Sequence, residues 1–259
     1  MSGTITAACC IIGDEILSGK TQDTNSHYLA KILFSLGIEL KCVQIIGDNR
    51  EDITKSVRKL SSTYDIVFTS GGIGEEEEGP THDDITYEAI AAAYDLELKL
   101  DGETYEYFEK QLEKGKLKMT KNHARMATFP YPARLLKEKR DIPIPIVVVN
   151  ENIYILPGVP VLFKVLLNSL QTRLALMSGS KFYRNEIATK QTEVMIADIL
   201  TEIQSQAMNE VKIGSYPLWK DKDGIQVIIS VSGKDQLKVD KVSQEIMTKT
   251  NGWLYSSLL

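Results

Sequence analysis

The 259-residue sequence has few cysteines, few histidines and no long apolar run. None of its three cysteines forms a Cys-x-x-Cys pair, so a structural zinc site is not expected. An odd, small number of cysteines in apolar segments is typical of reduced thiols, which predicts an intracellular, cytoplasmic protein. No apolar stretch reaches the roughly 18 residues that a membrane-spanning helix needs, and no basic region precedes the first apolar run. We therefore expect neither a membrane partner nor a signal peptide.

The chain also lacks an excess of positive charge. The chain has 30 Lys and Arg residues against 35 Asp and Glu residues, which gives a formal net charge of −5 at pH 7. This balance does not favour the phosphate backbone of DNA or RNA, so we expect no nucleic-acid partner. The remaining composition, with 43% hydrophobic and 25% charged residues, is typical of a globular chain and not of a disordered one.

Strand-like and helix-like segments alternate in the first part of the chain. Apolar runs of strand length occupy residues 5–12, 39–46 and 65–70, and helical patterns begin at Asn25 and near Asn49. Alternating β and α units predict a three-layer α/β domain with a mainly parallel sheet. In such sheets, ligands bind beyond the carboxyl ends of the strands. Residues that follow the strands directly are therefore the first candidates for a site.

A composition break at Ser178-Gly179-Ser180 separates this part from the rest. It predicts one domain over residues 1–177 and a second over residues 181–259. The order strand, helix, strand, strand, helix in the second part is typical of a small α+β domain. No catalytic constellation is visible there, which favours a role in packing or assembly.

The segment after the third predicted strand carries the strongest functional signal. Gly71, Gly72 and Gly74 follow the strand, and Asp83 and Asp84 stand near the start of the next predicted helix. A strand, a glycine loop and a helix N-terminus together present backbone N–H groups to an anion, and the carboxylates could bind a hard cation. The same pattern is also a common α/β junction, in which the aspartate only caps the helix.

Five further residues have more than one interpretation each. Asp14 follows the first strand as a ligand or as a solvated turn residue, and Asn25 could cap its helix, touch a ligand, or do both. Arg125 could bind phosphate bidentately or belong to a solvated basic helix face. Gly158 could let the backbone approach a ligand or simply make the turn. His82 adjoins the glycine segment and could transfer a proton, although a surface histidine is the more frequent outcome.

A longer set of motifs resembles a known family. Five blocks occur in order: IIGDEILSGKTQDTNSHYLAKIL, GDNREDI, GGIG…PTHDDITYEAI, NHARMATFP and YILPGVP. They resemble the molybdopterin-binding-like (MoaB/Mog) domains found in CinA proteins and at the N-terminus of eukaryotic FAD synthases. The resemblance covers roughly residues 4–170, and KIGSYP further on resembles the downstream part of the FAD-synthase type. Nothing resembles an adenylyltransferase or an amidase domain, so we expect that this chain does not make FAD by itself.

The resemblance implies a metal-dependent nucleotide pyrophosphatase, a hydrolase of FAD, ADP-ribose or a related dinucleotide. A divalent cation (Mg, Mn or Co) would be held by Asp83 and Asp84, with Asp14 in support. The implied ligand-binding residues are Gly71, Gly72, Gly74, Thr81, Thr86, Asp14, Asn25, Arg125 and Gly158. His82 would join the two aspartates as a catalytic residue.

Two other functions are compatible with the same motifs. The chain could be a molybdopterin- or nucleotide-binding module with little or no turnover, in which the glycines act together with Asp84 and Thr86. It could also be a structural partner of a separate FMN adenylyltransferase. In each case we expect a homo-oligomer.

The chain departs from the family pattern at residues 75–79 (EEEEG), which separate the glycines from PTHDD. Four extra carboxylates beside a phosphate site would repel the ligand, which predicts impaired hydrolysis. They could alternatively recruit additional metal.

Overall fold

The computed structural model describes residues 4–74, 84–114, 116, 118–137, 144–208, 210–219, 221 and 223–255. The chain divides into two compact units. The larger unit comprises Met1–Phe34 and Ile38–Ser178, and the smaller unit comprises Ser35–Gly37 and Gly179–Leu259. None of the helices in these described ranges is long and apolar enough to cross a membrane.

The larger unit contains eight strands and eight helices among its described residues. The strands are β1 (Thr6–Ile12), β2 (Glu39–Ile46), β3 (Ile66–Ser70), β4 (Glu97–Leu100), β5 (Thr128–Tyr131), β6 (Arg134–Leu136), β7 (Ile146–Val149) and β8 (Ile153–Leu156). The helices are α1 (Asp14–Leu17), α2 (Asn25–Ser35), α3 (Arg50–Thr63), α4 (Thr86–Ala93), α5 (Gly102–Lys114), α6 (Lys121–Met126), α7 (Pro160–Ser169) and α8 (Gln171–Ser178).

Six of the strands form one sheet in the order β2-β1-β3-β8-β7-β6. The pairs β1–β2, β1–β3 and β3–β8 are parallel, whereas β7 pairs antiparallel with both β8 and β6. All residues of β3, β7 and β8 are buried, as expected for strands that are covered on both faces. The predicted mainly parallel α/β fold is confirmed.

The structure differs from the sequence prediction at two places near the sheet. Strands β5 and β6 were not predicted, because Pro130 and Pro132 interrupt the strand pattern there. Helix α4 begins at Thr86 and not near Asp84, and no side chain caps it at Ile85. Asp84 therefore lies two residues before the helix, in the loop that leads into it.

The smaller unit has a four-stranded antiparallel sheet in the order β10-β11-β9-β12. Its elements are β9 (Tyr183–Thr189), α9 (Glu193–Gln206), β10 (Val211–Pro217), β11 (Val227–Gly233), α10 (Gln236–Thr250) and β12 (Trp253–Leu254). Alternate residues of β11 are fully buried and join a core with apolar side chains of both helices. The prediction of a small α+β fold after the first domain is confirmed.

Asp65 links the starts of β1 and β3. Its Oδ2 accepts hydrogen bonds from the hydroxyl and from the N–H of Thr6, each at 2.7 Å. These bonds, the hydroxyl bond first, hold the pKa of Asp65 below its ordinary value. A depressed pKa means that the carboxylate stabilises the fold above its unfolded pKa, and that this contribution disappears as the pH falls through the folded pKa.

We expect Asp65→Asn to lower the free energy of unfolding at neutral pH by a small amount, because the neutral amide is the weaker acceptor. The difference from the parent should shrink as the pH falls below the ordinary aspartate value of about 3.9. Urea unfolding of both proteins at neutral and at acid pH measures this. A difference that does not depend on pH would contradict the role of the charge.

Candidate functional site

The carboxyl ends of β1, β3 and β8 lie side by side at one edge of the six-stranded sheet. Ile11 of β1 is opposite Ser70 of β3, which in turn is opposite Leu156 of β8. The loops that leave these strands contain most of the predicted site residues. Parallel strands thus bring together segments that are far apart in the sequence.

The glycine loop after β3 has a conformation that other residues rarely adopt. Gly71, Gly72 and Gly74 have φ values of 110°, 65° and 69°. A Cβ on Gly71 would lie 2.1 Å from the carbonyl oxygen of Ile12, and one on Gly72 would lie 2.4 Å from Thr86 Oγ1. Glycine is required at these two positions by both backbone angle and space.

Thr86 fastens this loop to the start of α4. Its hydroxyl donates to the carbonyl oxygen of Gly71 and its N–H donates to that of Gly72, both at 2.9 Å. The Thr86 side chain is completely buried. The described contacts of Thr86 therefore position the loop, and its predicted role in ligand binding stays a prediction.

The backbone N–H groups of the three glycines do not all have the same role. That of Gly71 donates to the carbonyl oxygen of Leu156 at 3.3 Å, so it belongs to the connection with β8 and is not available for a phosphate. Within the described residues, the N–H groups of Gly72 and Gly74 have no hydrogen-bond acceptor. These two amides are the remaining candidates for phosphate binding.

Asn25, the first residue of α2, forms hydrogen bonds to the segments that end β3 and follow β8. Its Nδ2 donates to the carbonyl oxygen of Gly158 at 2.7 Å and to Ser70 Oγ at 3.0 Å, while the Ser70 hydroxyl donates to Pro157. Asp23, not Asn25, caps α2 by accepting from the first two backbone N–H groups. The Asn25 side chain is therefore free to hold the ends of β3 and β8 together. Ser70 was not singled out from the sequence, because a serine at the end of a strand gives no distinctive signal.

Gly158 is needed where two loops touch. A Cβ at this position would lie 3.2 Å from the Cα atom of Gly71. This distance is tighter than an ordinary contact, so the close approach that the sequence suggested occurs between two backbone segments of the chain. Contact of Gly158 with a ligand remains a prediction.

Asp14 lies at the ends of β1 and β2. Its N–H donates to Asp48 Oδ2 at 2.8 Å, and its own Oδ1 lies 2.3 Å from the position that a Cβ on Gly47 would take. The residue is exposed, so its carboxylate is accessible from solvent. Asp14 thus follows β1 at the carboxyl edge of the sheet, and its role as a ligand stays a prediction.

Arg125 and Asp84 are brought together, although they are 41 residues apart. Arg125 Nη2 donates to the backbone carbonyl of Asp84 at 3.2 Å and lies 3.5 Å from Glu88 Oε1. Its side chain is 39% exposed. A guanidinium group that is positioned on the Asp84 loop and still reaches solvent is well suited to neutralise a phosphate.

Several predicted residues lie outside the described part of the chain. These are Thr81, His82, Asp83 and the insertion at residues 75–79. Among the described residues, no group of three His, Cys, Asp or Glu side chains is arranged to bind a metal ion. The predicted metal site of Asp83, Asp84 and Asp14 therefore stays a prediction, because Asp83 lies outside the described residues.

A groove of about 600 Å³ lies elsewhere on the larger unit. It is lined by Arg50, Glu51, Thr54, Lys55, Arg58 and Ala92, from the outer faces of α3 and α4. None of these residues was a candidate from the sequence. The groove is an alternative binding site for a small ligand, and an experiment on the glycine loop has to distinguish the two.

Two buried threonines provide a test of the loop geometry. Thr86→Val removes the hydroxyl that bonds to Gly71 and should lower the free energy of unfolding by about 1–3 kcal/mol. Thr69 is equally buried, but in the described structure its hydroxyl has no partner, so Thr69→Val should be neutral or stabilising. Urea unfolding of both variants measures the contrast. Equal effects would mean that the Thr86 bond does not stabilise the loop.

The fold and the loop together define a class of protein, an α/β domain with a glycine loop at the carboxyl edge of a mainly parallel sheet. The chain belongs to the family described as probable molybdopterin binding domain, whose profile matches residues 8–175. A second profile, FAD synthase middle domain, matches residues 181–257. The resemblance found in the sequence is thereby confirmed.

Individual relatives agree with this assignment. The probable FAD synthases of Caenorhabditis briggsae and Caenorhabditis elegans are 34% and 33% identical over 84% of this chain. The chain spans 44% of the length of each of these relatives. The solved structure of a CinA protein of unknown function from Thermoplasma acidophilum is 27% identical, with a TM-score of 0.58. It covers 67% of this chain and 99% of its own.

Proposed function

We propose that this chain is a metal-dependent nucleotide pyrophosphatase that acts on FAD, ADP-ribose or a related dinucleotide. The observation that supports it best is the glycine loop held by Thr86. Among the described residues, the N–H groups of Gly72 and Gly74 in this loop have no acceptors. Asp84, whose backbone carbonyl accepts a hydrogen bond from Arg125, comes shortly before Thr86 in the sequence. The name FAD synthase in two relatives favours a flavin or adenine nucleotide as the ligand.

The chain's own residues would bind and orient the pyrophosphate. The N–H groups of Gly72 and Gly74 would donate to phosphate oxygens, and Arg125 would neutralise part of their charge. Asn25 and Ser70 act through the backbone, because they hold the β3 and β8 loops in one position. The hydrogen bonds of Asn25, Ser70 and Thr86 are already formed in the described structure, so these three residues need no rearrangement on binding.

A divalent cation would be held by Asp84 and Asp14 together with Asp83. When bound, it would neutralise the pyrophosphate and lower the pKa of the attacking water. The described carboxylates fit a cation in chemistry but do not complete its ligand set. For this reason the requirement for metal is tested separately from binding.

The proposal is tested by a screen of FAD, ADP-ribose and NAD with Mg²⁺, Mn²⁺ or Co²⁺, and with EDTA. Thermal shift reports binding and product chromatography reports hydrolysis. We expect at least one dinucleotide to be hydrolysed with a divalent cation and to be stable in EDTA. Binding without hydrolysis under any condition would instead establish a binding module, the outcome that the acidic insertion at residues 75–79 favours. A chain that neither binds nor hydrolyses any of these dinucleotides would contradict the proposal altogether.

A further inference from the structure

Strand β4 has one unpaired edge in the described structure. It pairs only with β5, in a separate two-stranded sheet. All four of its residues are exposed, and Leu98 and Leu100 have 41% and 47% of their surface accessible. An exposed edge with apolar side chains is a template for another strand.

The register shows which backbone groups point outwards. Asp101 donates its N–H to Ala127 in continuation of the β4–β5 register, so Glu97 and Lys99 also belong to hydrogen-bonded pairs with β5. Leu98 and Leu100 alternate with them and direct their N–H and C=O groups to the free edge. The partner of Leu98 in β5 is Pro130, which has no N–H to donate, in agreement with this alternation.

The sequence of this edge is complementary to itself. Residues 96–100 read LELKL, with Leu98 at the centre. An antiparallel copy centred on Leu98 places Glu97 opposite Lys99 twice, whereas Leu96 precedes the strand and already donates its N–H to Ala91. The neighbouring registers with the same backbone geometry place Lys99 opposite Lys99 or Glu97 opposite Glu97. Charge therefore selects one register out of three.

We propose that β4 pairs antiparallel with β4 of a second copy of this chain around a two-fold axis at Leu98. Such an interface is self-complementary, as two-fold interfaces must be. Lys99 lies on the same face of the sheet as Glu97 and Tyr131, with its Nζ 4.4 Å from the centre of the Tyr131 ring. Glu97 has no ion-pair partner among the described residues and is free to face the Lys99 of the second copy. The pairing does not depend on the proposed hydrolysis.

Charge reversal tests the register directly. In Lys99→Glu the two cross-strand pairs become Glu opposite Glu, and in Glu97→Lys they become Lys opposite Lys. Sedimentation velocity of the full chain over a wide concentration range should show a dimer that either single variant weakens about tenfold or more, because each symmetric pair changes from attraction to repulsion. The double variant, and an equimolar mixture of the two single variants, should restore it.

Lys110→Glu is the matched control for Lys99→Glu, because it changes the net charge by the same amount. Its side chain is 69% exposed and belongs to helix α5, not to β4. It should leave the dimer unchanged. Circular dichroism and thermal unfolding check that each variant folds. A chain that stays monomeric at every concentration would overturn the proposal, and so would an oligomer that is indifferent to both single reversals.

Discussion

Gly71→Ala is expected to prevent the larger unit from folding stably. The new Cβ would lie 2.1 Å from the carbonyl oxygen of Ile12, and φ at this position is 110°. Ile12 ends the buried strand β1 and Gly71 directly follows the buried strand β3, so neither backbone can move without disturbing the β1–β3 pairing. A clash of backbone with backbone together with an unfavourable φ should cost about 4 kcal/mol or more, a large part of the 5–15 kcal/mol that typically stabilises a domain.

Gly19→Ala is the control that separates these two causes. Gly19 also has a positive φ, 73°, but no heavy atom lies within 4 Å of the position that its Cβ would take. This variant should lose only about 1 kcal/mol, the cost of the backbone angle. The yield of folded protein and urea unfolding measure both variants. Similar stability of the two would show that the loop can relax away from Ile12.

Asp84→Ala is expected to abolish hydrolysis while the protein stays folded. The residue lies before α4 and its backbone carbonyl, which the variant keeps, is the group that contacts Arg125. If Asp84 holds the cation, removing its carboxylate removes several kcal/mol of transition-state stabilisation, so kcat/KM should fall about a hundredfold or more. Asp84→Asn should lose activity in the same way, since it keeps the shape and removes the charge.

Glu88→Gln is the matched control for Asp84. It removes a carboxylate from the first turn of the same helix, where Glu88 contacts Arg125 at 3.5 Å. We expect only a modest change in kcat/KM and an unchanged thermal midpoint. Full activity of Asp84→Ala, or of the parent in EDTA, would exclude the metal-assisted mechanism.

Local patterns in the sequence were sufficient for much of the fold. The fully buried strand β3 is an uninterrupted apolar run until its last two residues, and the spacing of the β7–β8 hairpin places Asn150 and Glu151 in a turn with positive φ values of 48° and 63°. Each of these features depends on residues that are close in the sequence. Burial and turn chemistry of this kind leave a readable signal.

The sequence indicated which segments carry the candidate site but not which of their residues contact one another. The hydrogen bonds of Asn25 join it to Ser70 and Gly158, which are 45 and 133 residues away. Which residues meet over such distances depends on the order of strands in the sheet, and no local pattern encodes that order. For the same reason, the sequence could not show that the N–H of Gly71 is already bonded to Leu156.

The central claim is that a dinucleotide binds at the glycine loop of the larger unit. An amide-resolved NMR titration of the full chain with ADP-ribose and Mg²⁺ tests it most directly, with FAD as a second ligand. If the dinucleotide binds there, the amide resonances of Gly72, Gly74 and Asp84 should move together and saturate with the ligand. Unchanged resonances at these residues, with shifts at Arg50, Lys55 and Arg58 instead, would place the ligand in the groove between α3 and α4 and contradict the account.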